Sequence, residues 1–135
     1  MFTYNPKKIE IALGTHRVTG IAEDSFVGIE PSGDGVTKKV GCDGEVVRSV
    51  SPDDTYSVKI VLMQGSPTNA WLEAQLKKDR DNGKGTFPVT IKDIIGTMVF
   101  NAKQAWVVKS AARSFGKEAG NREWEIHTGS ATLSE

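Results

Sequence analysis

Reactive and ligating side chains are what this chain has least of: one cysteine, Cys42, and two histidines, His16 and His127, in 135 residues. One cysteine excludes an internal disulfide, which fits a reducing compartment. Two distant histidines and no close-spaced cluster leave zinc and other transition metals without a ligand set, and no cofactor is expected. Excess charge of either sign is also missing, with Lys+Arg and Asp+Glu at 17 each. Net charge therefore gives no footprint for nucleic acid, and no basic run forms a phosphate-binding patch. Balanced charge instead weakens the repulsion that keeps copies apart. Long hydrophobic runs are absent, and stretches such as Ile60–Met63 and Ala105–Val108 are far too short to span a bilayer. The opening MFTYNPKKIEIAL sets its lysines in a strand-like pattern and has no apolar region leading to a small-residue cleavage site. Export by a signal peptide is not expected, and the chain should stay in the cytoplasm where it is made.

What is present is alternation. Ile9, Ile11 and Leu13 fall on one strand face and Lys8, Glu10 and Ala12 on the other. The same split recurs in Tyr56, Val58, Ile60 and Leu62, and again in Trp124 and Ile126 against Glu123, Glu125 and His127. Antiparallel strands with one wetter face are implied. Further strands are expected at 17–21, 26–30, 36–40, 45–50, 87–92, 98–100 and 104–111. Reversals separate them at Pro31–Gly35, Asp43-Gly44, Pro52-Asp53-Asp54 and Gly116–Asn121. One helix interrupts the pattern, from about Ser66 to Asn82, with Ser66 as its cap and Pro67 in the first position, where a missing N–H costs nothing. Trp71, Ala74, Leu72 and Leu76 give it a narrow apolar stripe. The expected architecture is one mainly β domain over 1–135, a small antiparallel barrel or sandwich with one flanking helix. Its core is expected to hold Tyr56, Val58, Ile60, Leu62, Trp71, Leu72, Leu76, Trp106, Trp124 and Ile126.

Chemistry fails one test after another. No serine sits in a nucleophile-elbow sequence, and Cys42 has no identifiable base. Gly33-Asp34-Gly35 and Gly83-Lys84-Gly85 lack P-loop spacing and read as turns. Asp53-Asp54 lacks the alternating oxygen ligands of a calcium loop. His127 with Glu123 and Glu125 reads as a wet strand face, and the three tryptophans read as core rather than as a stacking platform. No catalytic or metal residues are assigned.

A resemblance carries the reading further. VTKKVGCDGEVVRS, the polar turn SPDDTYS, VKIVLMQGSPTNAWLEAQLKKD, FPVTIKDIIG, AWVVKSA and the closing REWEIHTG, in that order, resemble the tail tube protein of contractile-tailed bacteriophages. That family is related in fold to type VI secretion tube proteins. The resemblance implies six copies closing into a ring and rings stacking head to tail into a hollow tube. It also implies genomic DNA passing through the lumen without specific binding, and the tail sheath, baseplate and tail terminator proteins as partners. The protein would be assembled in the bacterial host cytoplasm and end in the virion tail.

Physics constrains what such a subunit needs. Ring closure is a head-to-tail contact that repeats until the rotation closes, and neighbouring sheet edges can pair across it. Duplex DNA carries about one negative charge per 1.7 Å, so a strongly basic lining would grip it. Candidate lumen residues are polar strand-face positions of both signs, Lys39, Glu45, Lys59, Lys92, Glu123 and Glu125, with the inward strands left open. For ring stacking the expected contact is the hairpin and loop 41–55, with Asp43 and Gly44 in a tight reversal, Glu45 and Arg48 offering charge, and Asp53 and Asp54 at the far turn. Segments 1–5 and 128–135 are expected as arms that order on assembly. Two other readings stand beside this one. The first is a tube subunit of a type VI secretion system or a phage-derived bacteriocin; the second is a closed barrel holding a small apolar ligand.

Overall fold

A computed structural model describes residues 1–24 and 26–135. After a single 3-10 turn at Pro6–Lys8 come β1 (Ile9–Leu13), β2 (His16–Arg17), β3 (Val27–Pro31), β4 (Val36–Val40), β5 (Val46–Val50) and β6 (Tyr56–Met63). Then follow α1 (Pro67–Asn82), β7 (Phe87–Asp93), β8 (Val99–Lys109), β9 (Asn121–Thr128) and β10 (Ala131–Ser134). The main sheet runs β2-β1-β7-β8-β9-β6-β3, with β10 added alongside β8, and β4 and β5 pair only with each other. Every named pairing is antiparallel. Of the two expected forms, the sheet takes the open one: β2 and β3 end the path unpaired to one another, so no barrel closes.

The alternation read from the sequence sets the inner face. Ile11, Leu13, Val58, Ile60, Leu62, Val89, Ile91, Phe100, Trp124 and Ile126 form one buried cluster, joined from the helix by Leu72 and Leu76. The helix starts where Ser66 Oγ accepts from the Thr68 amide at 3.3 Å. It stops at Gly83, whose φ of +69° suits a left-handed cap and whose N–H reaches Asp79 O. Two buried polar residues lock α1 to the sheet. Thr68 Oγ1 lies 2.9 Å from His16 Nε2, and Asn69 Oδ1 accepts from Trp124 Nε1 at 2.9 Å. His16 also stacks on Trp71, their ring centroids 5.0 Å apart.

Three segments differ from expectation. The strand expected over 17–21 is cut to His16–Arg17, because Gly20 (φ +68°) turns the chain and sends Ile21 to a lone bridge with Leu62. The two strands expected at 98–100 and 104–111 are one, since pairing with β7 and β10 holds Asn101 and Ala102 extended despite their low intrinsic strand preference. Finally, Ala131–Ser134, within the expected C-terminal arm, pairs with Val99–Ala102 in the single chain.

Gly20 yields a direct test. A Cβ there would stand 2.7 Å from Ser66 Cβ, the residue that caps α1, and the positive φ is itself unfavourable for any other side chain. Gly20→Ala is expected to cost about 2 kcal/mol, lowering Tm by roughly 5–10 °C in a thermal melt.

Candidate assembly surfaces

The β4–β5 hairpin stands away from the body of the protein, and all ten of its strand residues are exposed. Its tip is built by local polar chemistry. Gly41 N–H donates to Glu45 O at 2.7 Å, Asp43 Oδ1 accepts from the Glu45 amide at 3.0 Å, and Gly44 takes φ +87°. Its root is tied to the body by Ser51 N–H to Gly35 O at 2.8 Å and Ser32 N–H to Thr55 O at 3.0 Å.

The register decides what each face offers. Val36 lies opposite Val50, Lys38 opposite Arg48 and Val40 opposite Val46, so one face carries four valines around two cations. The other face carries Thr37, Lys39, Val47 and Ser49. The four valines of the first face are 50–73% exposed. Lys38 and Arg48 directly opposite each other are an unfavourable pair in isolation, and neither has an ion-pair partner among the described residues. The ribbon thus exposes an apolar platform and unrelieved charge that nothing else among the described residues covers.

The six residues expected at a stacking contact separate into three places. Asp43, Gly44 and Glu45 form the tip and Arg48 sits mid-strand. Asp53 and Asp54 lie at the root rather than at a projecting turn. Asp53 accepts from the Thr55 amide at 3.0 Å and from its hydroxyl at 2.6 Å, and these bonds, the hydroxyl foremost, hold its carboxyl below the usual carboxylate range. Asp54 accepts from Ser130 Oγ at 2.6 Å, fastening the chain after the hairpin to the turn before β10. Both acids are already engaged within the chain.

The six expected lumen residues also divide. Lys59, Glu123 and Glu125 share the outward face of β6 and β9, where Lys59 Nζ is 3.9 Å from Glu123 Oε1. Glu125 lies 3.3 Å from His127 Nε2 and accepts from Ser57 Oγ at 3.4 Å. Lys92 belongs to β7, opposite Glu10, while Lys39 and Glu45 ride on the hairpin. Among the expected core residues, Val58, Ile60, Leu62, Leu72, Trp124 and Ile126 are fully buried and Leu76 is nearly so. Tyr56 and Trp71 pack half-buried against the cluster. Trp106 is the exception. Inward positions on β8 go to Ala105 and Val107, which leaves Trp106 half-buried on the outward face opposite His127.

Sequence reading missed the valine platform. Its signal was present: a loop of odd length at 41–45 aligns Val36, Val40, Val46 and Val50 on one face once that register is assumed. A second tie was also missed. Glu73 on α1 accepts from Ser110 Oγ at 2.6 Å and pairs with Arg113 Nη2 at 3.1 Å, pinning the segment after β8 to the helix. The Ser110 hydroxyl foremost holds the Glu73 carboxyl below its ordinary 4.5 against the opposing effect of burial, with the Arg113 guanidinium and the nearby Arg80 charge adding to the lowering. The resulting stability is present above pH 4.5 and lost as pH falls through the lower folded value. Glu73→Gln is expected to lower the urea midpoint at neutral pH and to match the parent at acid pH, where both side chains are uncharged.

Among the described residues no three His, Cys, Asp or Glu side chains converge as a metal group, and no helix is long and apolar enough to cross a membrane. The family model of the bacteriophage PhiTE tail tube protein matches residues 13–133. The chain belongs to this phage tail tube family. It is therefore a structural component of the phage tail and not an enzyme. A structural protein of Pseudomonas phage KPP10 is 27% identical over 139 aligned positions, covering 97% of this chain and 80% of that protein.

Solved structures share the tail tube fold at low identity. The sheath/tube terminator of an extracellular contractile injection system in its extended state superposes with a TM-score of 0.69 at 10% identity, covering 100% of this chain and 99% of that one. The tube-terminating cap of the anti-feeding prophage gives 0.64 at 9% identity, covering 99% and 92%. A chain of a sheath–tube complex gives 0.58 at 11%, covering 98% and 92%.

Proposed function

We propose that this tail tube protein closes into hexameric rings that stack head to tail into the hollow tube of a contractile tail, and that genomic DNA passes through its lumen during ejection. The valine platform carries the reading. It is costly on a solitary subunit and becomes an asset only when covered by a neighbour. A surrounding sheath, a terminator at one end and a baseplate at the other are the partners this tube would meet. The fold shared with a sheath/tube terminator and with a sheath–tube complex supports that arrangement. Assembly would take place in the host cytoplasm. Met1–Asn5, where Phe2 and Tyr4 are exposed, would act as an arm ordered by neighbouring subunits.

The outward face of β6 and β9 suits the lumen. Lys59 lies close to Glu123 and Glu125 adds a further carboxylate, giving a wet surface without the excess positive charge that would hold DNA. Membership of a phage family favours a phage tail over a secretion or bacteriocin tube. A packed interior, with Trp124 and Phe100 fully buried, argues against a barrel that holds a small ligand.

Electron microscopy of the concentrated, purified chain tests the proposal. Rings or tubes of uniform diameter are the expected result. Monodisperse monomers that persist after an initiating tail complex is supplied would reject it.

A further inference from the structure

The unclosed sheet leaves a seam. Where β3 faces the β1–β7 side without pairing to it, Ile9, Phe26, Val27, Ile29, Ile91 and Met98 line an apolar groove of about 430 Å³. Asp24 lies at its margin, and Glu23 and Asp24 line the adjoining recess beside Phe26. Neither carboxylate has an ion-pair partner among the described residues. The seam thus offers apolar surface, lined also by Tyr4, bordered by two carboxylates without an ion-pair partner and by Lys7 in the same recess.

Resting on the reading that the hairpin is an assembly contact, we propose that its valine face docks into this seam on a second copy of the chain, with Lys38 and Arg48 meeting Glu23 and Asp24. Three observations converge. The two surfaces match in kind, four exposed valines against a groove of six apolar side chains. They match in charge in part, two unrelieved cations against two carboxylates without ion-pair partners, in a recess that Lys7 also lines. They also lie at opposite ends of one strand: Glu23 and Asp24 precede β3, while its far end at Pro31 leads into the hairpin. Donor and acceptor are therefore separated along the subunit by the length of β3, about 17 Å at the usual strand rise. Because donor and acceptor are different patches, each copy can take one neighbour at its hairpin and another at its seam. The contact repeats head to tail, and repetition of a contact that does not close makes a filament. The seam also gains from the exchange, since a neighbour's ribbon covers apolar surface that closure of the barrel would otherwise have hidden.

Charge reversal on the full chain tests this. One variant carries Lys38→Glu and Arg48→Glu, reversing the donor; a second carries Glu23→Lys and Asp24→Lys, reversing the acceptor. Each alone is expected to yield at least tenfold less sedimentable polymer than the parent. An equimolar mixture should recover polymer, because each hairpin then finds a seam of opposite charge on the other variant, and a chain with all four changes should assemble alone. Donor reversal that abolishes polymer with no recovery by either route overturns the seam while leaving the hairpin's role intact. Donor reversal that assembles like the parent overturns both. Hydrogen exchange on the unaltered chain gives a readout that no substitution can disturb. Amides of 36–50 and of 26–29 should gain protection together on polymerisation, and protection of the hairpin without 26–29 rejects the proposal. A parent chain that never assembles rejects the self-assembly reading and the docking with it.

Discussion

Trp124→Ala is expected to bring the protein to the edge of unfolding. The indole is fully buried in the centre of β9, so its removal should cost about 4 kcal/mol in lost burial and residual cavity. A second loss adds to the first. Trp124 Nε1 is the donor to Asn69 Oδ1, and the same Asn69 donates through Nδ2 to Met63 O at 3.0 Å and Gln64 O at 3.3 Å. That asparagine joins β9, the end of β6 and the first turn of α1, so its orphaned carbonyl oxygen would sit buried without a partner, worth about 1–3 kcal/mol more. Against a total stability of about 5–15 kcal/mol, the sum removes a large share of the folded population. Equilibrium urea unfolding should show the midpoint falling by about 2 M or more. Trp124→Phe separates the two effects: it keeps most of the burial, loses the hydrogen bond, and should fall between the parent and the alanine variant. Equal stability of Phe and Trp at this site would remove Asn69 from its proposed role as the pin between helix and sheet.

The residues that were legible in the sequence are those whose information is local. Ser66, Pro67 and Gly83 announce both ends of α1 because capping depends on side chains within one turn of the cap. Period-2 alternation identifies β1, β6 and β9 because one face of each meets the core. What stayed hidden was decided by neighbours distant in the chain. Asn101 and Ala102 are strand because β7 and β10 flank them. Trp106 faces outward because small Ala102 and Ala105 hold the inward positions of β8, whose packing partner is α1. Asp53 and Asp54 read as a free acidic turn until Thr55 and Ser130 are brought beside them. The valine platform needed a register, and a loop of five residues rather than a two-residue turn sets it.

If the hairpin is the assembly contact as proposed, stability and assembly reside in different parts of the molecule, and the hairpin is the place where assembly can be broken while the fold survives. Replacing Val36, Val40, Val46 and Val50 together by threonine keeps the β-branched shape that suits a strand, so the ribbon itself should persist. None of the four contributes to the buried cluster, so the unfolding free energy should change by no more than about 0.5 kcal/mol. At a contact the arithmetic differs. Each side chain is at least half exposed in the single chain, and the proposed contact would bury it. Covering a hydroxyl where a methyl had been should cost about 1 kcal/mol per site. Four sites give about 4 kcal/mol, or roughly a thousandfold weaker contact. In the proposed polymer each subunit adds one such contact, so the concentration needed for polymer should rise by about three orders of magnitude while circular dichroism and the urea midpoint stay at parental values. Sedimentation velocity across a concentration series would read this directly. Tubes that form at the parental concentration from the four-threonine chain would place the assembly contact elsewhere on the subunit.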